Sequence, residues 1–219
     1  MAAMARDLLA RDSVDATLER ITASATELVE GCDAAGILVV HDAKVETLAA
    51  THSLVSDTDL LQQQLGEGPC FATRGSQGEP GFRIADLTSE GQRWPAFARQ
   101  ARQLGVGSMM GFRLFTEDED LGALNFYSRR PGAFTDDSGR AGVLLASHAA
   151  VAFSAARRQD QMEQAIATRH LIGEAMGIVM GSHRLTEEEA FDVLRRYSQA
   201  NNLKLREVAR RVCERGSLS

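Results

Sequence analysis

The sequence holds three cysteines, Cys32, Cys70 and Cys213, and no two are close enough to form a Cys-x-x-Cys pair. An odd, scattered set excludes a disulfide framework and points to a reducing compartment. No apolar run approaches the roughly 18 residues that a membrane span requires. The opening MAAMARDLLARDS reads as helical, mixes charges, and has no apolar leader core. The expectation is a cytoplasmic chain with no membrane segment. Chemical motifs are also scarce. There is no P-loop, no Gly-x-Ser-x-Gly elbow and no His-Glu-x-x-His pair. The five histidines are dispersed. GVGSMMG sits in a strand pattern rather than before a helix, so it is no dinucleotide fingerprint. ILVVHD resembles the start of a phosphoacceptor receiver, but a hairpin follows it instead of a helix. These absences argue against an enzyme. No metal and no cofactor is expected, although a small-molecule ligand of unknown identity is compatible with the front of the chain.

What is present is an uneven charge. The 219 residues carry a net −6. Residues 1–156 hold 13 basic and 21 acidic side chains, a net −8, whereas 157–219 hold 11 and 9, a net +2. From Val193 onward the count is 7 basic to 2 acidic. A polyanionic partner is therefore sought at the C-terminal end. A merely solvated Arg-rich face is the competing reading.

Periodicity divides the chain. Ser13 to Val29 has helical spacing, and DAAGILVVH and the Val45–His52 run read as a hairpin around HDAK. Ser56 to Leu65 is helical and stops at GEGP; RGSQGEPG is a loop. FRIADL is a short strand, Trp94 to Leu104 an amphipathic helix. VGSMMGFRLF and LGALNFYSR form an antiparallel pair around TEDED. From Asp136 to about Met180 no proline interrupts a long helix. Leu144, His148, Val151, Ala155, Arg158, Met162, Ala165, Arg169, Ile172, Met176 and Val179 follow steps of four and three, a heptad-like stripe. Thr186-Glu-Glu-Glu189 is a capping box that starts a further helix. Ala190, Phe191, Leu194 and Tyr197 line one face of it, and Leu205, Val208, Ala209, Val212 and Cys213 line the last helix.

Arg169 to Val212 carries Ile172, Ala175, Gly177, Ile178 and Met180, then Ala190-Phe191 and Leu194-Arg195, then Leu205, Val208 and Ala209. This segment resembles the ANTAR domain, a three-helix RNA-binding module of bacterial transcription antitermination regulators. LGEGPC, ADL with RWPAFA, LGALNFYS and the AFT before the long helix resemble a GAF domain of the kind fused to ANTAR in actinobacteria. The two resemblances imply an α+β chain: a GAF-like antiparallel sheet flanked by helices, a long helical stalk and a C-terminal three-helix bundle. The expected boundaries are an extension over 1–12, a sensor domain over 13–135, a stalk over 136–165 and the RNA-binding domain over 166–219. Many ANTAR domains carry Lys between the Ala and the Gly of the first helix; Met176 stands there in this chain.

The implied function is a signal-responsive antitermination regulator. It would bind paired hairpins in nascent transcripts as a homodimer joined through the stalk. The alternative is a GAF-like dimeric protein-interaction regulator that no longer binds RNA, motivated by Met176 and the acidic front. The RNA-facing candidates are Arg195, Arg196, Lys204, Arg206, Arg210 and Arg211 for phosphate contact. Tyr197, Ser198, Asn201 and Asn202 are the groups for loop reading, though Tyr197 also reads as core and the two asparagines as turn residues. Cys70, Phe71, Trp94, Phe97, Met109 and Phe126 line either a ligand pocket or the plain core. Cys70 is either a responsive thiol or a buried one.

Gly173, Gly177 and Gly181 recur every four residues in one helix, each costing about 1 kcal/mol relative to Ala. Such a strip admits another backbone. Gly177 is expected to pack inside the bundle. For Gly173 and Gly181 a phosphate backbone or a twin protomer stays open, and Gly181 alternatively stops the helix.

Overall fold

Two-residue alternation in the front half and 3.6-residue spacing in the rear half produce two kinds of packing. The computed structural model describes residues 13–41, 44–73, 81–87, 93–117 and 119–218. The first dozen residues, much of RGSQGEPG and two residues of HDAK lie outside them. The chain divides into two compact units, Met1–Arg157 and Arg158–Ser219.

In the first unit, helix α1 (Val14–Leu28) is followed by strands β1 (Ala34–His41) and β2 (Lys44–Ala50). Helix α2 (Ser53–Leu65) and the short α3 (Pro69–Thr73) come next. Then follow β3 (Gly81–Ile84), α4 (Pro95–Gln103), β4 (Ser108–Phe115) and β5 (Asp120–Ser128). The strands form one antiparallel sheet in the order β2-β1-β5-β4-β3. Helix starts are fixed locally. The Ser13 hydroxyl accepts from the Ala16 N–H, and His52 Nδ1 accepts from the Leu54 N–H. Pro95 opens α4, where its missing N–H costs nothing. The sequence pattern does not reveal α3; five residues are too few to show a period.

Successive strand side chains leave the sheet on opposite faces. Met110 pairs with Phe126 across β4 and β5, and Met109 pairs with Tyr127. Phe126 and Met110 therefore join Ile21 and Ala25 of α1, and Leu145, Ala149 and Phe153 farther along the chain, in one core. Met109 and Tyr127 join Leu54 and Val55 of α2 and Phe97 and Ala101 of α4 in the other. Burial on both faces explains why β4 and β5 read as near-continuous apolar runs.

Helix α5 (Asp136–His183) is 48 residues long, and its first part supplies Leu145, Ala149 and Phe153 to the sheet core. Its last part belongs to the second unit, with α6 (Glu187–Ala200) and α7 (Leu205–Arg215). There Ala175 and Val179 pack with Ala190 and Leu194 of α6 and Val208, Ala209 and Val212 of α7. The Thr186 capping box forms as its spacing predicts. Thr186 Oγ1 accepts from the Glu189 N–H at 3.4 Å, and Glu189 Oε2 accepts from the Thr186 N–H at 2.8 Å. Helix α5 does not stop at Gly181. It runs on to His183, and Arg184 takes the left-handed turn at φ 56°.

The heptad-like stripe is used unevenly. Val179 is buried in the three-helix core. Leu144, Val151 and Met162 stand 44%, 57% and 54% exposed in the single chain.

Candidate functional site

Helices α6 and α7 place the basic residues. Core contacts consume Ala190 and Leu194 on α6 and Val208, Ala209 and Val212 on α7, so the cations between them are left on the outer surface. Arg195, Arg196, Lys204, Arg206 and Arg210 are exposed and Arg211 is half-buried. Several are already paired. Arg195 reaches Asp192 at 2.8 Å, and Glu207 receives Arg210 at 3.2 Å and Arg211 at 3.5 Å. Arg196, Lys204 and Arg206 have no ion-pair partner among the described residues. Such exposed pairs each contribute little in water.

The groups expected to read RNA bases are engaged elsewhere. Ser198 Oγ donates to the Leu203 carbonyl at 2.6 Å, and Asn201 Nδ2 donates to the Tyr197 carbonyl at 2.9 Å. Both bonds build the turn between α6 and α7, where Asn202 sits at φ 51°. Tyr197 is half-buried and packs against the three-helix core. The structure thus keeps these three beside the cations but gives them structural work.

A groove of about 620 Å³ opens between α5 and α6. Ile172, Gly173 and Met176 form the α5 wall, and Glu187, Glu188 and Phe191 form the α6 wall. Arg169, one turn before Gly173, completes the lining. Phe191 is 39% exposed. Pattern reading groups it with Ala190 and Leu194. The core takes those two, and Phe191, about 100° around the helix from Ala190, turns outward. Gly177 also departs from expectation. A Cβ built at Gly173, Gly177 or Gly181 meets nothing within 4 Å, so no helix among the described residues packs on any of the three.

The six sensor candidates do not converge. Trp94, Phe97 and Met109 share the core beneath α2 and α4. Phe126 lies across the sheet, because it pairs with Met110 rather than with Met109. Cys70 is buried with Leu38 and Ala123, and Phe71 beside it is half-buried. The Arg93 guanidinium covers the Trp94 ring at 4.3 Å. Burial pushes the Cys70 thiol up to about 12, with the Asp59 carboxylate adding to the effect. Burial and this shift favour the buried-thiol reading over the responsive one; Asn125 Nδ2 contacts its sulfur at 3.5 Å.

Sequence reading misses a polar network in the same unit. Asp59 of α2 is buried, with Oδ2 accepting from Thr47 at 2.8 Å and Oδ1 accepting from the Tyr127 hydroxyl at 3.0 Å. Desolvation raises its carboxyl to about 6 despite both bonds. A second groove, of about 540 Å³, lies over Phe82, Met110, Phe112, Val143 and Leu144, with the 2.8 Å Arg83–Asp136 ion pair in its lining. No helix among the described residues is long and apolar enough to cross a membrane. No group of three or more His, Cys, Asp or Glu among them is placed to hold a metal ion.

A sheet with helices on both faces, followed by a long helix and a small helical unit, defines a two-part α+β chain. The family comparisons agree with that class. The GAF domain model matches residues 11–154 and the ANTAR domain model matches residues 160–212. The chain belongs to the GAF-domain family, and with the C-terminal match it has a GAF–ANTAR architecture, that of a signal-responsive regulator. Among solved structures it is similar to the cyanobacteriochrome TePixJ GAF domain, at TM-score 0.54 and 18% identity, over 68% of this chain and 94% of that one. It is also similar to the GAF domain of a phosphoenolpyruvate-protein phosphotransferase from Coxiella burnetii, at TM-score 0.53 and 18% identity, over 73% and 94% of the two chains. At that identity the likeness is one of fold. No curated protein matches the sequence.

Proposed function

We propose that the chain is a transcription antitermination regulator, without a catalytic step of its own, that binds hairpin RNA through its C-terminal unit. The observation that carries this reading is the set of unpaired cations, Arg196, Lys204 and Arg206, on the unit that the ANTAR model matches. Lys and Arg at phosphates release counterions, so affinity falls steeply with salt. The paired Arg195, Arg210 and Arg211 add further cations at the cost of weak surface ion pairs.

The sensor unit would receive a small-molecule signal in the cytoplasm. The exposed Leu144, Val151 and Met162 support a homodimer through α5, in which two bundles meet paired hairpins in a nascent transcript. Tethering two bundles raises avidity without new contacts. The signal switches the protein only if it binds two arrangements of the stalk with different affinity.

The test is binding of the full chain to a panel of paired-hairpin RNAs at two salt concentrations. Salt-sensitive binding that is lost in an Arg196→Ala, Arg206→Ala variant is expected. Each phosphate contact removed should lower the salt slope by roughly 0.7–0.9. Absence of binding at either salt, in a dimeric and folded protein, would favour the protein-interaction alternative instead.

A further inference from the structure

We propose that the groove between α5 and α6 is a base-reading pocket, which takes one unpaired nucleobase of an RNA loop against Phe191, with Glu187 or Glu188 accepting from its amino edge. This rests on the RNA reading above and goes further, to how sequence is recognised.

Reading a loop requires a flat side chain for stacking and polar groups for a base edge. The surface of Arg196, Lys204 and Arg206 offers guanidinium planes and the exposed Asn202, but no exposed aromatic ring. Its neighbours Ser198 and Asn201 are bonded into the turn, and Tyr197 packs on the core. The groove holds both. Phe191 is one of two aromatic residues in the second unit and the more exposed. Ile172 and Met176 supply an apolar wall opposite it, and Gly173 leaves that wall without a side chain at its middle. A volume of about 620 Å³ is within the range that holds small ligands.

The polar groups select the ligand. Glu187 and Glu188 make no hydrogen bond or ion pair among the described residues, while Glu189, the third member of TEEE, is tied into the capping box. That box fixes the backbone of the first turn of α6, from which the two carboxylates extend. Carboxylates accept from exocyclic amino groups, as Glu does from cytosine N4. They repel phosphate, so a neutral base rather than the backbone enters here. Adenine, cytosine and guanine carry an amino group and uracil does not. Arg169 is likewise without an ion-pair partner and stands one turn from Gly173, within reach of the flanking phosphate. Arg195, four residues after Phe191, links the groove to the basic surface. A second copy of this chain fits less well: three of the seven lining residues are charged, and the cores of protein interfaces are depleted in charge.

The experiment is a selection of paired-hairpin RNAs with fixed stems and randomised loops, on the full chain and on two variants. Phe191→Leu keeps an apolar side chain but removes the ring. Glu187→Gln with Glu188→Gln keeps size and removes charge. The wild type is expected to enrich an amino-bearing base at one loop position. Phe191→Leu should lower affinity for that loop about tenfold relative to an all-uracil loop on the same stem, with an unchanged salt slope. The Gln pair should change which base is enriched at that position. Identical loops and affinities in all three proteins overturn the proposal. If the Arg196→Ala, Arg206→Ala variant still loses binding in that case, the RNA reading stands and only the pocket is lost. Binding by the wild type without loop preference removes the pocket alone, and no binding of any loop removes both. If the groove variants instead change the sedimentation mass, the groove joins two copies and the proposal is overturned.

Discussion

The Tyr127 hydroxyl donates a 3.0 Å hydrogen bond to Asp59 Oδ1 inside the sensor unit, joining α2 to the central strand β5. Thr47 donates to the other oxygen from β2. Two bonds are too few to replace the hydration of a buried carboxylate, so its carboxyl is raised from 3.8 to about 6. The folded state therefore binds the proton more tightly than the unfolded chain. This contribution to stability is complete below about pH 4 and is lost as pH rises through about 6, a change on the order of 2–3 kcal/mol. Asp59→Asn can keep both contacts without the charge. We expect the variant to unfold at higher denaturant than wild type at pH 8, and the gap to shrink at pH 5. A less stable variant at pH 8 would show that the ionised carboxylate is required.

Cys70 offers a second check. Its sulfur is buried and its thiol is held at about 12, so the thiolate fraction at pH 8 is minute. Alkylation of the native protein at pH 8 should leave Cys70 unmodified, and unfolding should expose it fully. The readout is mass mapping of the labelled peptides. Rapid native labelling would reopen a redox role.

Removal of the Thr186 hydroxyl should loosen the second unit. Thr186→Ala takes away the acceptor for the Glu189 N–H and is expected to cost about 1 kcal/mol. Glu189 is lowered below the usual carboxylate range, chiefly by the bond from the Thr186 N–H. Its contribution is therefore present at neutral pH and is lost as pH falls through the folded value. Hydrogen exchange at the first turn of α6 is the measurement, since it reports local opening.

This capping box also shows what a sequence reveals. Both partners lie within one turn, so spacing alone defines the contact. The apolar runs of β4 and β5 around a short acidic turn are legible for the same reason, and so is the long helix, which no proline breaks. Sites are harder. Met109 and Phe126 look alike as apolar residues of paired strands, yet a cross-strand register one residue away sends them to opposite faces. Ser198 and Asn201 look available beside six cations, but the α6–α7 turn uses their polar atoms. Phe191 and the buried Asp59 depend on how helices cross and strands stack, and no local pattern encodes that.

The glycines of α5 give the last expectation. Gly173, Gly177 and Gly181 each weaken the helix by about 1 kcal/mol relative to Ala, and no neighbour among the described residues requires their missing side chains. Gly177→Ala and Gly181→Ala should therefore stabilise the second unit, each by about 1 kcal/mol, and raise its denaturation midpoint. Such gains are not found where a glycine serves packing, because the added methyl would then clash. If an external backbone approaches this strip, the same variants should bind hairpin RNA more weakly while folding more stably. Opposite movement of stability and affinity would locate the benefit of the glycines outside the chain. Equal or higher affinity would mean that the strip contacts nothing in the complex.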